Sequence, residues 1–85
     1  MREYAVHGAI NPDTNEIAYG LYVQKPDANW KAVYVSESYD TAGILDCLDF
    51  LQTFAKDARN VMCGGYIYPA TPEGLASLKA DLPNA

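Results

Sequence analysis

Two turn clusters constrain this chain more than any other feature: Asn11-Pro12-Asp13-Thr14-Asn15 and Lys25-Pro26-Asp27-Ala28-Asn29. Each combines a proline, whose φ is preset for a turn, with Asp and Asn side chains that bond their own backbone. They separate three runs, at 3–10, 16–24 and 30–37, rich in Tyr, Val, Ile and Ala and alternating with period two. That period is the spacing of a strand, and these residue types fit a pleated surface. Strands joined by such short turns pair antiparallel, so the first 37 residues are expected to form a meander.

The turns also suggest a register. With Ile10 opposite Ile17, Gly8 meets Tyr19, Val6 meets Leu21 and Tyr4 meets Val23; with Val23 opposite Lys31, Leu21 meets Val33 and Tyr19 meets Val35. One face then carries Tyr4, Val6, Ile10, Ile17, Tyr19, Leu21, Val23, Val33 and Val35, the expected core face. The other carries Ala5, His7, Ala9, Ala18, Gly20, Tyr22, Trp30, Ala32 and Tyr34. No Lys, Arg, Asp or Glu stands among those nine. A solvated sheet face normally shows polar and charged positions, so this face is expected to be covered, either by the chain's own last helix or by a second chain.

A helix is expected over 41–58, with Asp40 as its N-cap. At 100° per residue, Ile44, Cys47, Leu48, Phe50, Leu51, Phe54, Ala55 and Ala58 share one side, and Asp46, Asp49, Gln52, Thr53, Lys56 and Asp57 the other. Leu45 falls among the polar positions. Residues 61–68 read as a fourth strand, apolar on both faces, with Gly64-Gly65 as a bulge or a close backbone approach within it. Thr71-Pro72-Glu73 starts a second helix carrying Leu75, Leu78 and Leu82, and Pro83 stops it.

The predicted fold is a single α+β domain over 1–85, in the order β-β-β-α-β-α. A right-handed crossover places the fourth strand parallel beside the first, giving a four-stranded mixed sheet of order 3-2-1-4. This topology resembles the front half of the ribonuclease H fold, a truncated form of which occurs in small antitoxins of the HicB type. The likeness is one of topology alone and carries over no residues.

Composition limits the chemistry. Hydrophobic residues make up 49% of the chain and charged residues 20%, and the formal net charge is −5. A phosphate-backbone binder needs clustered Lys and Arg, so direct nucleic-acid binding is not expected. No run is long enough to span a membrane, and Met1-Arg2-Glu3-Tyr4 does not open a signal peptide; the expected compartment is the cytoplasm, with Cys47 and Cys63 as reduced thiols. Two cysteines and one histidine cannot fill a four-ligand zinc site. Ribonuclease H-like nucleases hold metal with carboxylates on the first strand, first helix and fourth strand, and the fourth strand here has no acid. Asn11–Glu16 resembles the start of a calcium loop, but Glu16 stands where glycine is required and Tyr22 where an acid is. Gly64-Gly65 lacks the lysine of a phosphate loop. The expectation is therefore no catalysis, no cofactor and no metal.

The expected activity is binding to another protein, as a small regulator or inhibitor comparable in kind to antitoxins and phage anti-defence proteins such as anti-CRISPR proteins. The expected interface is His7, Gly20, Tyr22, Trp30, Ala32 and Tyr34, facing a protein partner or a second copy in a homodimer. One alternative is an acidic nucleic-acid mimic that uses Glu37, Asp40, Asp46, Asp49 and Asp57 against a basic groove. Another is a small enzyme or ligand-binding domain with its site around His7, Tyr22 and Tyr34.

Overall fold

The computed structural model describes residues 2–82. Three strands form the meander: β1 (Arg2–Ile10), β2 (Ile17–Gln24) and β3 (Trp30–Tyr39). Helix α1 (Asp40–Phe54) crosses to β4 (Ala58–Cys63), β5 (Tyr66–Pro69) follows by a tight turn, and α2 (Pro72–Asp81) ends the described chain. The fold is α+β, with one mixed sheet of order β3-β2-β1-β4-β5. β4 lies parallel to β1, as the crossover predicts, and β5 is antiparallel to β4. Pro83, expected to stop α2, lies outside the described residues.

The sheet has five strands where four were expected. Gly64 and Gly65 both take positive φ, 61° and 83°, which bends the chain into a two-residue hairpin between Cys63 and Tyr66. Glycine adopts this backbone without steric cost, and such turns match the twist of paired strands. The expected bulge in one long strand is thus a turn between two short ones.

The β1–β2 register runs as expected from Tyr4↔Val23 through Ile10↔Ile17. The β2–β3 register agrees at Val23↔Lys31 and then departs. Tyr22 pairs with Ala32 and Leu21 with Tyr34, so Val33 is an extra residue in a bulge. Just beyond it Tyr34 and Val35 change face, and a second irregularity follows between Val35 and Tyr39. Tyr34 therefore lies on the helix side, and Val35 pairs with Gly20 and lies on the other. Val33 and Val35, expected in the core, are 38% and 64% exposed, and Ile10 is 60% exposed.

The cause of the bulge is visible across the layers. The Tyr34 ring stacks on Phe50 of α1 at 4.5 Å. The Tyr34 hydroxyl and the Ser36 hydroxyl both donate to Asp46 Oδ2. The carboxylate holds the Tyr34 phenol proton and pushes its pKa up to about 12, while the two donated bonds hold the Asp46 carboxyl below its usual range. Asp46, read as a solvent-facing acid, is half-buried against β3.

Helix α1 buries Ile44, Cys47, Leu48 and Leu51 against the sheet. It ends at Phe54, which is 68% exposed rather than in the core. Ala58, expected in the helix, instead opens β4 opposite Arg2. The helix start differs too. Asp40 has φ 56°, a left-handed value that non-glycine residues rarely adopt. Its side chain does not cap the helix; Oδ1 accepts the Ile17 N–H at 3.1 Å and ties the start of α1 to the start of β2. At α2 the expected signals operate, with Thr71 Oγ1 accepting the Gly74 N–H at 3.1 Å and Pro72 in the first turn.

The two helices share one face of the sheet. Leu75, Leu78 and Leu82 of the α2 segment join Tyr4, Leu21, Leu48 and Val61 in a single core. Both cysteines lie in that core as free thiols. Burial raises the Cys47 pKa from 9.0 to about 11 and raises that of Cys63. Tyr4 is raised from 10.0 to about 12, first by burial and then by donation to Asp57. A group whose folded pKa is raised contributes stability below its unfolded pKa and loses it as pH climbs through the folded value. The melting temperature should therefore hold through neutral pH and fall as pH rises from about 9 towards 12. At neutral pH a disulfide reagent should react with neither thiol until the chain is unfolded. Rapid titration of either native thiol, or a melting temperature still flat above pH 11, would contradict this placement of the cysteines.

Candidate functional site

With both helices on one side, the opposite sheet face is left without a cover from the described chain. Alternation along β1 and β2 puts Ala5, His7, Ala9, Ala18, Gly20 and Tyr22 there. Pairing extends the face outward: Ala32 lies opposite Tyr22, Val35 opposite Gly20, Met62 opposite Ala5 and Ile67 opposite Met62. Trp30, opposite Gln24, stands at one end and is 39% exposed. The residues facing outward between Ala5–Ala9, Ala18–Tyr22 and Ala32–Val35 include no Lys, Arg, Asp or Glu. Glu3, hydrogen bonded by the Asn60 side chain, lies at that same end, level with Gln24 one step beyond the Tyr4–Val23 pair.

The glycine at position 20 shapes this surface. A Cβ built there would meet the Tyr22 ring at 3.2 Å and the Tyr34 carbonyl oxygen at 3.3 Å. The Tyr22 ring thus leans over the place where a larger residue would stand. His7, paired with Gly20 across the strands, meets the Tyr22 ring edge-on at 6.1 Å. Ala5, His7, Tyr22, Trp30 and Met62 line a shallow hollow of about 400 Å³. Its walls are an imidazole, two aromatic rings and a thioether, the residue types that anchor protein interfaces.

Five of the six expected interface residues, His7, Gly20, Tyr22, Trp30 and Ala32, are on this face; Tyr34 is not. The sheet separates Tyr34 from His7 and Tyr22, so these three do not converge on one site. Val35, Met62 and Ile67 belong to the face and were missed. The register shift hid Val35, and the hairpin at Gly64-Gly65 hid Ile67. Met62 was legible, since it alternates with Val61 and Cys63 beside β1.

Of the five acids of the alternative acidic surface, one is half-buried and four are exposed. Asp46 accepts from Tyr34 and Ser36, Asp57 accepts from Tyr4 and pairs with Arg2 at 3.4 Å, and Asp40 accepts from Ile17. Asp40 and Asp57 are exposed with Glu37 and Asp49, and the four are spread over β3, α1 and the segment between α1 and β4. No group of three or more His, Cys, Asp or Glu among the described residues is placed to hold a metal ion. Cys47 and Cys63 point into the core and His7 lies on the opposite face, so no cysteine–histidine pair forms.

A second hollow, of about 660 Å³, sits at the end of β1 beside the Gly64-Gly65 turn. It arises because β4 ends at Cys63 while β1 continues to Ile10. Its lining is mostly apolar, with His7 and Tyr19 also contributing. No helix among the described residues is long and apolar enough to cross a membrane. Compared with known proteins, the chain matches no family model, no curated protein and no solved structure.

Proposed function

We propose that this chain is a non-catalytic protein-binding module, a small regulator or inhibitor of the antitoxin or phage anti-defence kind, including anti-CRISPR-like activity, that acts through its open sheet face. The observation that carries the reading is the packing of both helices on one side, which leaves the uncharged face with Tyr22 and Trp30 uncovered. Soluble monomers rarely expose a contiguous apolar patch beyond a few hundred Å². The likeness of the first four strands and α1 to part of the ribonuclease H fold enters only as a scaffold that presents this face.

Affinity capture with the tagged chain, from cells of the organism that encodes it, tests the reading. Tyr22→Lys and Ala32→Glu should each lose the specific partner while keeping the parent circular dichroism spectrum. Asp49→Lys, on the opposite layer, should retain it. Added salt should leave the interaction largely intact, because apolar burial is screened little. If the interaction collapses with salt and with Asp49→Lys but survives Tyr22→Lys, the acidic mimic replaces this reading.

A further inference from the structure

We infer that the open sheet face is closed by a second copy of this chain, packed sheet on sheet about a two-fold axis. The inference rests on the reading of that face as an interface and names its occupant. A two-fold interface uses the same patch on both partners, so that patch must carry both projections and hollows. Here Tyr22, Trp30 and Met62 stand beside a floor of Ala5, Ala9, Ala18 and Gly20 on one surface. Large side chains of one copy have small residues of the other to enter.

Charge points the same way. Each chain carries −5, and copies meeting through their acidic surfaces would repel. The middle of the open face carries no charge, so two copies meet there without a like-charge contact. The resulting order of layers is helix, sheet, sheet, helix, with sheets about 10 Å apart.

The area sets the strength. Five strands spaced about 4.8 Å apart, with an uncharged height of roughly five residues at about 3.3 Å each, give a footprint of about 24 by 17 Å. With side-chain relief that is on the order of 1,000 Å² for the pair, the lower bound for a specific interface. The dimer should therefore dissociate in the micromolar range rather than be permanent.

Sedimentation velocity of the whole chain from about 1 to 200 µM, a range that brackets micromolar dissociation, tests this. The mass should rise from 9.3 kDa towards twice that value with concentration. Trp30, the one tryptophan, should shift its emission to the blue and lose acrylamide quenching over the same range. Tyr22→Lys, and Ala32→Glu at an exposed position, should each weaken the dimer at least tenfold; if Tyr22→Lys fails to fold, Ala32→Glu decides. A wild-type mass of 9.3 kDa at every concentration overturns the dimer, as does a dimer that persists in the folded variants. A monomer whose partner capture is lost with Ala32→Glu removes the dimer and leaves the interface reading standing. A monomer whose capture survives both variants removes both.

Discussion

Leu48→Ala should cost about 2–5 kcal/mol and leave much of the chain unfolded near body temperature, whereas Phe54→Ala should cost about 1 kcal/mol or less. The two positions lie on the same arc of a helical wheel, and periodicity alone assigns both to the core. Leu48 is fully buried between the sheet and α1, and Phe54 is 68% exposed beyond its last buried turn. Deleting Leu48 removes its transfer free energy and leaves a cavity whose walls, Ile44 and Leu51 among them, belong to a helix fixed at both ends. Truncating Phe54 removes chiefly its contact with the Phe50 ring, at 4.8 Å. A domain of 85 residues has on the order of 4–13 kcal/mol of stability in total, so the first loss takes a large fraction of it. Urea melts of the two variants beside the parent check this. Similar midpoints for Leu48→Ala and the parent, or a larger loss for Phe54→Ala, would mean that α1 faces the sheet differently.

What the sequence made legible and what it hid divide along a physical line. The meander, the β1–β2 register and the parallel placement of β4 followed from local signals: proline-containing turns, unbroken alternation and the handedness of crossovers. The start of α2 followed from Thr71 and Pro72 in the same way. The β3 register beyond Ala32 was hidden because its cause is not local. Val33 bulges so that Tyr34 and Ser36 reach Asp46 on another layer, and no pattern within β3 announces that. The end of α1 was hidden for a similar reason, since no glycine or proline stops the helix near Phe54 and the pairing of Ala58 with Arg2 takes over. β5 is different, because its signal was present. Two consecutive glycines between apolar runs are a strong short-range sign of a hairpin, and they were read as a bulge because the runs on either side are similarly apolar. Which side of the sheet α2 would cover depends on packing, and a narrow leucine stripe of three residues could have served either face.

Gly74→Ala tests that placement of α2 directly, and the expected sign is opposite to the usual one. In an exposed helix interior, exchanging glycine for alanine gains about 1 kcal/mol because the unfolded chain loses freedom. Gly74 is buried, and a Cβ there would fall well inside contact distance of the Pro69 carbonyl oxygen, 2.8 Å from its carbonyl carbon and 3.0 Å from its Cβ. The first two are backbone atoms, which cannot rotate away as a side chain would. The first turn of α2 must lift from the end of β5, loosening the Thr71 cap and opening the contacts of Leu75 and Leu78, now 3% and 1% exposed. Overpacking of this kind costs about 1–3 kcal/mol, and amide exchange should quicken through α2 and β5 before it does in β1 and β2. A variant as stable as the parent would show that α2 does not dock on Pro69. The same substitution separates the two layers functionally. Because α2 lies across the sheet from Tyr22 and Trp30, Gly74→Ala at a temperature where it stays folded should leave binding through the open face unchanged. A helix that folded over that face would instead be displaced by the substitution, and binding would strengthen.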